Sequence, residues 1–296
     1  MTEQKPASQA DSFVVVGTGY VGARVLQALE GRSRVGFYRS EMPRIEADCR
    51  RLDLDDPDTG RIALPANSRV LYTVPPPREG ENDPRMLRFL DRVEGRPSRF
   101  VYLSTTGVYG DRGGEVAIET DPPAPQTPRA KRRLAAETAI ASWCDRRRVD
   151  CYRLRVPGIY GPGRLGLERL RDGAEILRDE DSGPGNRIQV DDLVRCCVAA
   201  LTGTAPPGIY NVGDGDHRSS TDFSVAVAQR AGLPAPEKIP LSEARRRWPR
   251  MRLSFVQESR RADTTKMRDV LGVTPEYASL EDGIAASLAA AERDPG

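Results

Sequence analysis

The feature that most limits what this chain can fold into is a short apolar run that leads directly into a glycine-rich turn. Phe13-Val14-Val15-Val16 has the β-branched character of a strand buried on both faces in a parallel sheet. Gly17-Thr18-Gly19-Tyr20-Val21-Gly22 follows at once, and Val21, Val25, Leu26 and Leu29 then recur at helical spacing. A strand passing through G-x-G-x-x-G into a helix is the local arrangement that grips a diphosphate. Gly17 permits the tight turn, Gly19 lets backbone approach the phosphates, and Gly22 allows close helix–strand packing. The helix N-terminus adds free N–H groups and the positive end of a dipole. Gly17, Gly19, Tyr20, Val21 and Gly22 are therefore the first candidate residues for a dinucleotide.

The rest of the first half repeats the alternation. Strand candidates are Arg34 to Tyr38, Val70 to Val74, Arg99 to Leu103 and Cys151 to Val156, with helices over Pro84 to Glu94 and Pro128 to Cys144. This predicts an α/β chain of Rossmann type, a doubly wound parallel sheet with right-handed crossovers. After Pro157 glycine and proline cluster over Gly158 to Gly166. Helices are then predicted near Leu167 to Leu177, Asp191 to Leu201, Thr221 to Ala231 and Leu280 to Ala290, with a returning strand at Ile209 to Val212. Residues 1–157 are read as the dinucleotide-binding domain, with 1–12 a flexible N-terminus. Residues 158–296 are read mainly as a smaller substrate-binding α/β portion, with some segments returning to the Rossmann core.

The end of the second strand selects the coenzyme. An acidic residue there would bind both ribose hydroxyls and favour NAD. The chain reads Phe37-Tyr38-Arg39-Ser40, with Arg44 shortly after, and a guanidinium beside a serine hydroxyl suits a 2′-phosphate. NADP is the expected coenzyme, with NAD the alternative. Asp53 is placed toward the adenine edge. The same site is expected to take in Leu54, Thr73, Val74, Pro75, Ser104 and Pro157.

Composition narrows the remaining classes. Across 296 residues, 45 basic side chains against 43 acidic ones give a formal charge of +2, so no global field calls for nucleic acid or a membrane surface. Arginine runs such as Arg146-Arg147-Arg148 read as solvated helix faces. His217 is the only histidine and sits in a Gly/Asp/Ser turn, and five cysteines at 49, 144, 151, 196 and 197 have no paired spacing. No metal site is expected, and the thiols read as reduced and buried in a cytoplasmic protein. The polar stretch Met1 to Ser12 shows no secretory signal, and no apolar run reaches membrane-spanning length.

Several further segments, in order along the chain, resemble the extended short-chain dehydrogenase/reductase superfamily in its NAD-dependent epimerase/dehydratase branch. They are the Gly17–Gly22 turn, Ser104-Thr105-Thr106-Gly107-Val108-Tyr109-Gly110, the run from Arg153 to Gly163, Arg187-Ile188-Gln189-Val190-Asp191-Asp192-Leu193, Tyr210-Asn211-Val212-Gly213 and Leu271-Gly272. The resemblance implies hydride transfer by a Ser/Thr, a Tyr and a Lys, the tyrosine acting as general acid/base. Thr105 matches the Ser/Thr position. Aligning the Leu134-Ala135-Ala136-Glu137 tail puts Arg129 at the tyrosine position and Arg133 at the lysine position, as in atypical members of the superfamily. Arginine stays protonated, so Arg129 is suited to orienting an anion or stabilising an oxyanion rather than to acting as a base. The proton donor then falls to Tyr109, Tyr160, Lys131 or a water, with Tyr109 the preferred candidate.

Thr106, Tyr160, Arg164 and Arg187 complete the candidates as substrate-binding residues, and Pro157, Gly158 and Ile159 are expected to line the nicotinamide. The leading functional expectation is an NADP-dependent oxidoreductase acting on a small carbonyl or alcohol metabolite. A non-catalytic NAD(P)-binding regulator and a sugar-nucleotide epimerase or dehydratase are the alternatives. The resemblance also implies a homodimer through two helices packed as a four-helix bundle, against which stands the arginine-rich Lys131–Arg133 surface.

Overall fold

The computed structural model describes residues 11–256 and 258–293. The expectations for residues 1–12 fall almost entirely outside that range. A seven-stranded, wholly parallel sheet forms the centre. Its strands are β1 (Ser12–Val16), β2 (Ser33–Tyr38), β3 (Asp48–Arg51), β4 (Arg69–Tyr72), β5 (Arg99–Thr105), β6 (Asp150–Val156) and β7 (Gly208–Asn211). Their order across the sheet is β7-β6-β5-β4-β1-β2-β3. The chain steps outward from β1 in one direction to β3, then restarts at β4 on the other side. A crevice opens at that reversal, beyond the C-terminal ends of β1 and β4.

Alternation along the strands divides the core into two layers. Phe13 and Val15 of β1, Leu71 of β4, and Val101 and Leu103 of β5 face one side. There they pack with Val25, Leu26 and Leu29 from α1 (Tyr20–Ala28) and its C-cap, and with Leu193, Cys197 and Leu201 from α4 (Val190–Thr202). Val14, Val16, Tyr72, Phe100 and Tyr102 face the other side. Their partners are Met86, Phe89 and Leu90 of α2 (Pro84–Arg92) and Ala136, Ile140 and Trp143 of α3 (Pro128–Arg147). Covering both faces is what lets central strands such as β1 be apolar throughout. Asp83 caps α2 by accepting from the Met86 N–H at 3.1 Å, and Thr127 caps α3 by accepting from Ala130 at 3.3 Å.

Two smaller clusters lie in the second half. Tyr160 and Leu165 pack with Ala226 and Val227 of α5 (Ser220–Arg230) and with Leu280 and Ile284 of α6 (Leu280–Arg293). Leu177, Ile239, Ala244, Trp248 and Leu253 form the other. The helix expected over Leu167 to Leu177 stops at Arg171, because Gly173 takes φ +73°. Ile176–Leu177 then pairs as a short strand with Lys238–Ile239. The five cysteines are free, but only Cys144, Cys196 and Cys197 are buried, while Cys49 and Cys151 are half-buried. Among the described residues no helix is long and apolar enough to cross a membrane, and no cluster of three metal-ligating side chains occurs.

Candidate active site

The glycine turn is held from both sides. Phe37 of β2 offers its carbonyl to the N–H groups of Gly17 (2.9 Å) and Thr18 (3.0 Å), and the Thr73 hydroxyl, just past β4, donates to the Gly17 carbonyl at 2.5 Å. Gly17 sits at φ +97°, and a Cβ there would lie 2.6 Å from the Thr73 hydroxyl oxygen. At Gly22 a Cβ would come within 2.1 Å of the Gly17 carbonyl oxygen, so α1 packs against the turn only because that methyl is missing. Gly19 differs: nothing lies within 4 Å of where its Cβ would be. One glycine of the three thus faces open space, on the side where a diphosphate must approach backbone.

That space belongs to a cleft of about 1110 Å³ running across the C-terminal ends of the strands. Near β2 it is bounded by Tyr38, Arg39, Ser40, Arg44, Leu54 and Asp55, and beyond Thr73, Val74 and Pro75 it reaches Ser104, Thr105, Arg129, Arg133 and Pro157. Seven of its lining residues are arginines, against the two carboxylates of Glu41 and Asp55. Asp55 is claimed by two of them. Arg85 forks onto it with two 2.6 Å hydrogen bonds and Arg39 donates at 2.9 Å, which holds its carboxyl below the usual carboxylate range. Arg164 and Arg24 stack on the ring of Tyr20, at 3.9 and 4.2 Å from its centre, and the Tyr20 hydroxyl donates to the Pro162 carbonyl at 2.9 Å. The excess of arginine over carboxylate gives the cleft a positive lining, which suits an anionic ligand.

Residues 84–213 match the family model described as the NAD dependent epimerase/dehydratase family. UDP-glucose 4-epimerase of Mycolicibacterium smegmatis is 28% identical over 203 residues, 64% of this chain and 61% of the relative. Protein YeeZ of Escherichia coli K12 is 26% identical over 246 residues, 75% of this chain and 85% of the relative. A structure of a functionally unknown conserved protein from Silicibacter pomeroyi superposes with TM-score 0.80 at 26% identity, covering 95% of this chain and 99% of that one. Over residues 84–213 the chain is thus similar to the NAD dependent epimerase/dehydratase family, and its fold is that of solved structures from the same group. Against several curated relatives it spans less than two thirds of their length, 39% in one case and 61% in the epimerase.

Thr105, Arg129 and Arg133, the three positions that the sequence resemblance singles out, line one end of the cleft. The Thr105 hydroxyl oxygen accepts from the Gly107 N–H at 3.1 Å, leaving its proton free to donate into the cleft. Arg133 donates to the Leu103 carbonyl (2.9 Å) and the Tyr102 hydroxyl (3.2 Å), which lays it along the end of β5. Arg129 stacks on Phe255, 3.9 Å from the ring centre.

Other expectations need correction. Tyr109 is buried, donates to Asn211 Oδ1 at 2.7 Å under the guanidinium of Arg155, and does not line the cleft. The tight turn Thr106–Tyr109 after β5 swings this side chain into the core, so it is a packing residue and not the proton donor. Thr106 is buried with it. Tyr160 is sealed between Phe223 and Gly283, where burial raises its pKa, and Lys131 is exposed outside the cleft. Arg187 spends its donors on the carbonyls of Arg218 and Ser219, both at 2.7 Å, tying a loop rather than meeting a substrate. Asp53 accepts from the Asp55 N–H at 3.0 Å and turns away, so Asp55 is the carboxylate that reaches the cleft. Arg164 lies beside the glycine turn and not at the Thr105 end.

Behind Thr105 lies a buried polar network that sequence reasoning missed. Ser104 donates to Glu137 of α3, and Arg155 of β6 forks onto the same carboxylate at 2.9 and 3.2 Å. The pair's side chains are 2% and 3% exposed. Both residues stand inside segments that carry the resemblance, but only the register of α3 against β6 reveals that they meet.

Proposed function

We propose that the protein is an NADP-dependent oxidoreductase passing hydride between the nicotinamide and the carbonyl or carbinol carbon of a small metabolite, with an active site that lacks the Tyr-Lys pair. The observation carrying this reading is one continuous cleft that joins the open face of Gly19, the Arg39-Ser40-Arg44 corner and Thr105. A dinucleotide fits that cleft. Its diphosphate would meet Gly19 and the start of α1, its adenosine end would lie by Arg39 and Leu54, and its nicotinamide end would lie by Ser104 and Pro157. When bound, the coenzyme supplies the hydride chemistry. The chain's own part is to orient the substrate and polarise its oxygen through the Thr105 hydroxyl. With Tyr109 and Tyr160 buried elsewhere and Lys131 outside, the proton comes from water.

Two tests follow from this reading. Purified protein is expected to turn over NADPH with a member of a carbonyl panel, and Thr105→Ala is expected to lower kcat at least tenfold. Unchanged turnover in that variant removes Thr105 from the mechanism. For the coenzyme, Arg39→Ala combined with Arg44→Ala is expected to weaken NADPH binding about 10- to 100-fold, the value of lost charge-assisted hydrogen bonds, with little change for NADH. Equal losses for both coenzymes in calorimetric titrations would exclude a 2′-phosphate at this corner.

The similarity to a UDP-glucose 4-epimerase favours a second reading, epimerisation or dehydration of a sugar nucleotide. Arg129 and Arg133 count against it, because that chemistry needs a base to start the oxidation. NAD retained through purification, with no net coenzyme consumption, would favour it.

A further inference from the structure

Arg129 is the one guanidinium at the Thr105 end of the cleft whose donors are unspent among the described residues. Arg133, beside it, donates through Nη1 to the Leu103 carbonyl and the Tyr102 hydroxyl. Toward the other end, Arg24 donates to the Tyr20 carbonyl, and Arg39 and Arg85 hold Asp55. Arg129 makes neither a hydrogen bond nor an ion pair within the described residues, only the stack on Phe255. The contact with Phe255 uses none of its N–H groups in a hydrogen bond, so all five remain available to a ligand. Burial lowers its pKa from the usual arginine value, so the charge is already partly stripped of water. The carboxylate whose field reaches it, Glu258, gives Oε2 to Arg260 at 2.8 and 3.2 Å and makes no ion pair with Arg129, while its Oε1 has no hydrogen-bond partner among the described residues. A half-desolvated cation without a direct ion pair among the described residues carries a cost in the free protein, and an anionic ligand in contact with it offsets that cost.

The surroundings hold this group close to the reacting position. Arg260 also donates to the carbonyls of Thr106 (3.0 Å) and Gly110 (2.9 Å), which ties the segment after Phe255 to the loop after Thr105. A methyl at Gly107 would lie 3.4 Å from the Thr105 hydroxyl oxygen and 3.7 Å from Cβ of Ala130, the residue next to Arg129. Thr105 and the first turn of α3 are therefore close neighbours. Arg129 and Thr105 line the same cleft.

We propose that the substrate carries an anionic group, a carboxylate or a phosphate, close to its reacting carbonyl, and that Arg129 grips it with its forked N–H edge while Phe255 fixes the plane. This rests on the oxidoreductase reading for its placement of the carbonyl at Thr105. It makes Arg129 a specificity-determining residue that rejects neutral carbonyl compounds. Lysine in its place would keep the charge but lose the planar fork and the stack.

The test is a calorimetric titration of protein saturated with NADP⁺, using oxalate, inorganic phosphate and the neutral isostere oxamide as probes. One of the two anions is expected to bind and oxamide is not, and the one that binds tells a carboxylate site from a phosphate site. Arg129→Ala is expected to weaken that anion at least tenfold, and Arg129→Lys is expected to fall between it and the wild type. The lysine variant also covers the case in which the alanine variant does not fold. Binding of neither anion, equal binding of oxamide, or anion affinity unchanged in both variants would overturn the proposal. The coenzyme-free protein is titrated in parallel. If NADP⁺ itself does not bind, the oxidoreductase reading falls, and dependence of anion binding on Arg129 in the free protein still decides this one.

Discussion

Gly19→Ala is expected to leave the protein folded and to abolish coenzyme binding, whereas Gly22→Ala is expected to damage both. The two glycines belong to one turn but do opposite work. Gly19 has φ −78°, which alanine adopts without strain, and an added methyl meets no atom within 4 Å. The residual cost is that of a poorer helix N-cap, about 1 kcal/mol, or a few degrees of Tm. The methyl would nevertheless occupy the space through which a diphosphate reaches the backbone, and a loss of at least 100-fold in coenzyme affinity follows. At Gly22 the methyl would sit 2.1 Å from a backbone oxygen, so α1 must move away from β1. Overpacking costs typically about 1–3 kcal/mol, and a backbone clash puts Gly22→Ala at or above the upper end. Thermal melts and coenzyme titrations on both variants separate the effects. Coenzyme binding at wild-type strength in Gly19→Ala would mean that the diphosphate lies elsewhere.

Removing the carboxylate of Glu137 is expected to have the largest effect on stability of any single side-chain truncation near the site. Its loss leaves Arg155 charged and buried, with Nη1 already without a hydrogen-bond partner. It also takes away the acceptor of Ser104. Breaking a buried pair from one side costs about 3–5 kcal/mol, much of it the penalty for the stranded ion. For a chain of this size that lowers Tm on the order of 10 °C. The stranded charge can be told from lost packing by adding Arg155→Met to Glu137→Ala. The double variant is expected to be more stable than Glu137→Ala alone. If Glu137→Ala melts within a degree or two of the wild type, the pair is not holding α3 to β6.

The parts of the fold that could be read in the sequence are those where periodicity and burial agree. β1, the turn and α1 are apolar where they meet the core and glycine where backbone must approach backbone, so local pattern and tertiary demand coincide. β3 was invisible because Asp48-Cys49-Arg50-Arg51 is an edge strand that pairs only with β2 and carries charge instead of apolar alternation. The short helices Leu241–Arg247, Arg250–Val256 and Thr265–Asp269 escaped for a similar reason, having only one or two turns in which to show a period. At the site, Gly17, Gly19, Tyr20, Val21, Ser40, Arg44, Thr73, Ser104 and Thr105, all next to glycines or strand ends, line one cleft. Tyr109, Tyr160 and Arg187 were misplaced because side-chain direction after a strand depends on loop geometry that spacing does not encode. The pairing of Asp55 with Arg39 and Arg85 is likewise a tertiary fact, spanning 16 and 30 residues of chain.

Everything assigned to the cleft depends on its holding a dinucleotide. The direct measurement is isothermal titration of the wild-type protein with NADPH, NADP⁺, NADH and NAD⁺ in turn. Saturable binding at one site per chain is expected, tighter for the phosphorylated pair, and lost in Gly19→Ala. Four flat titrations of folded protein would contradict the account.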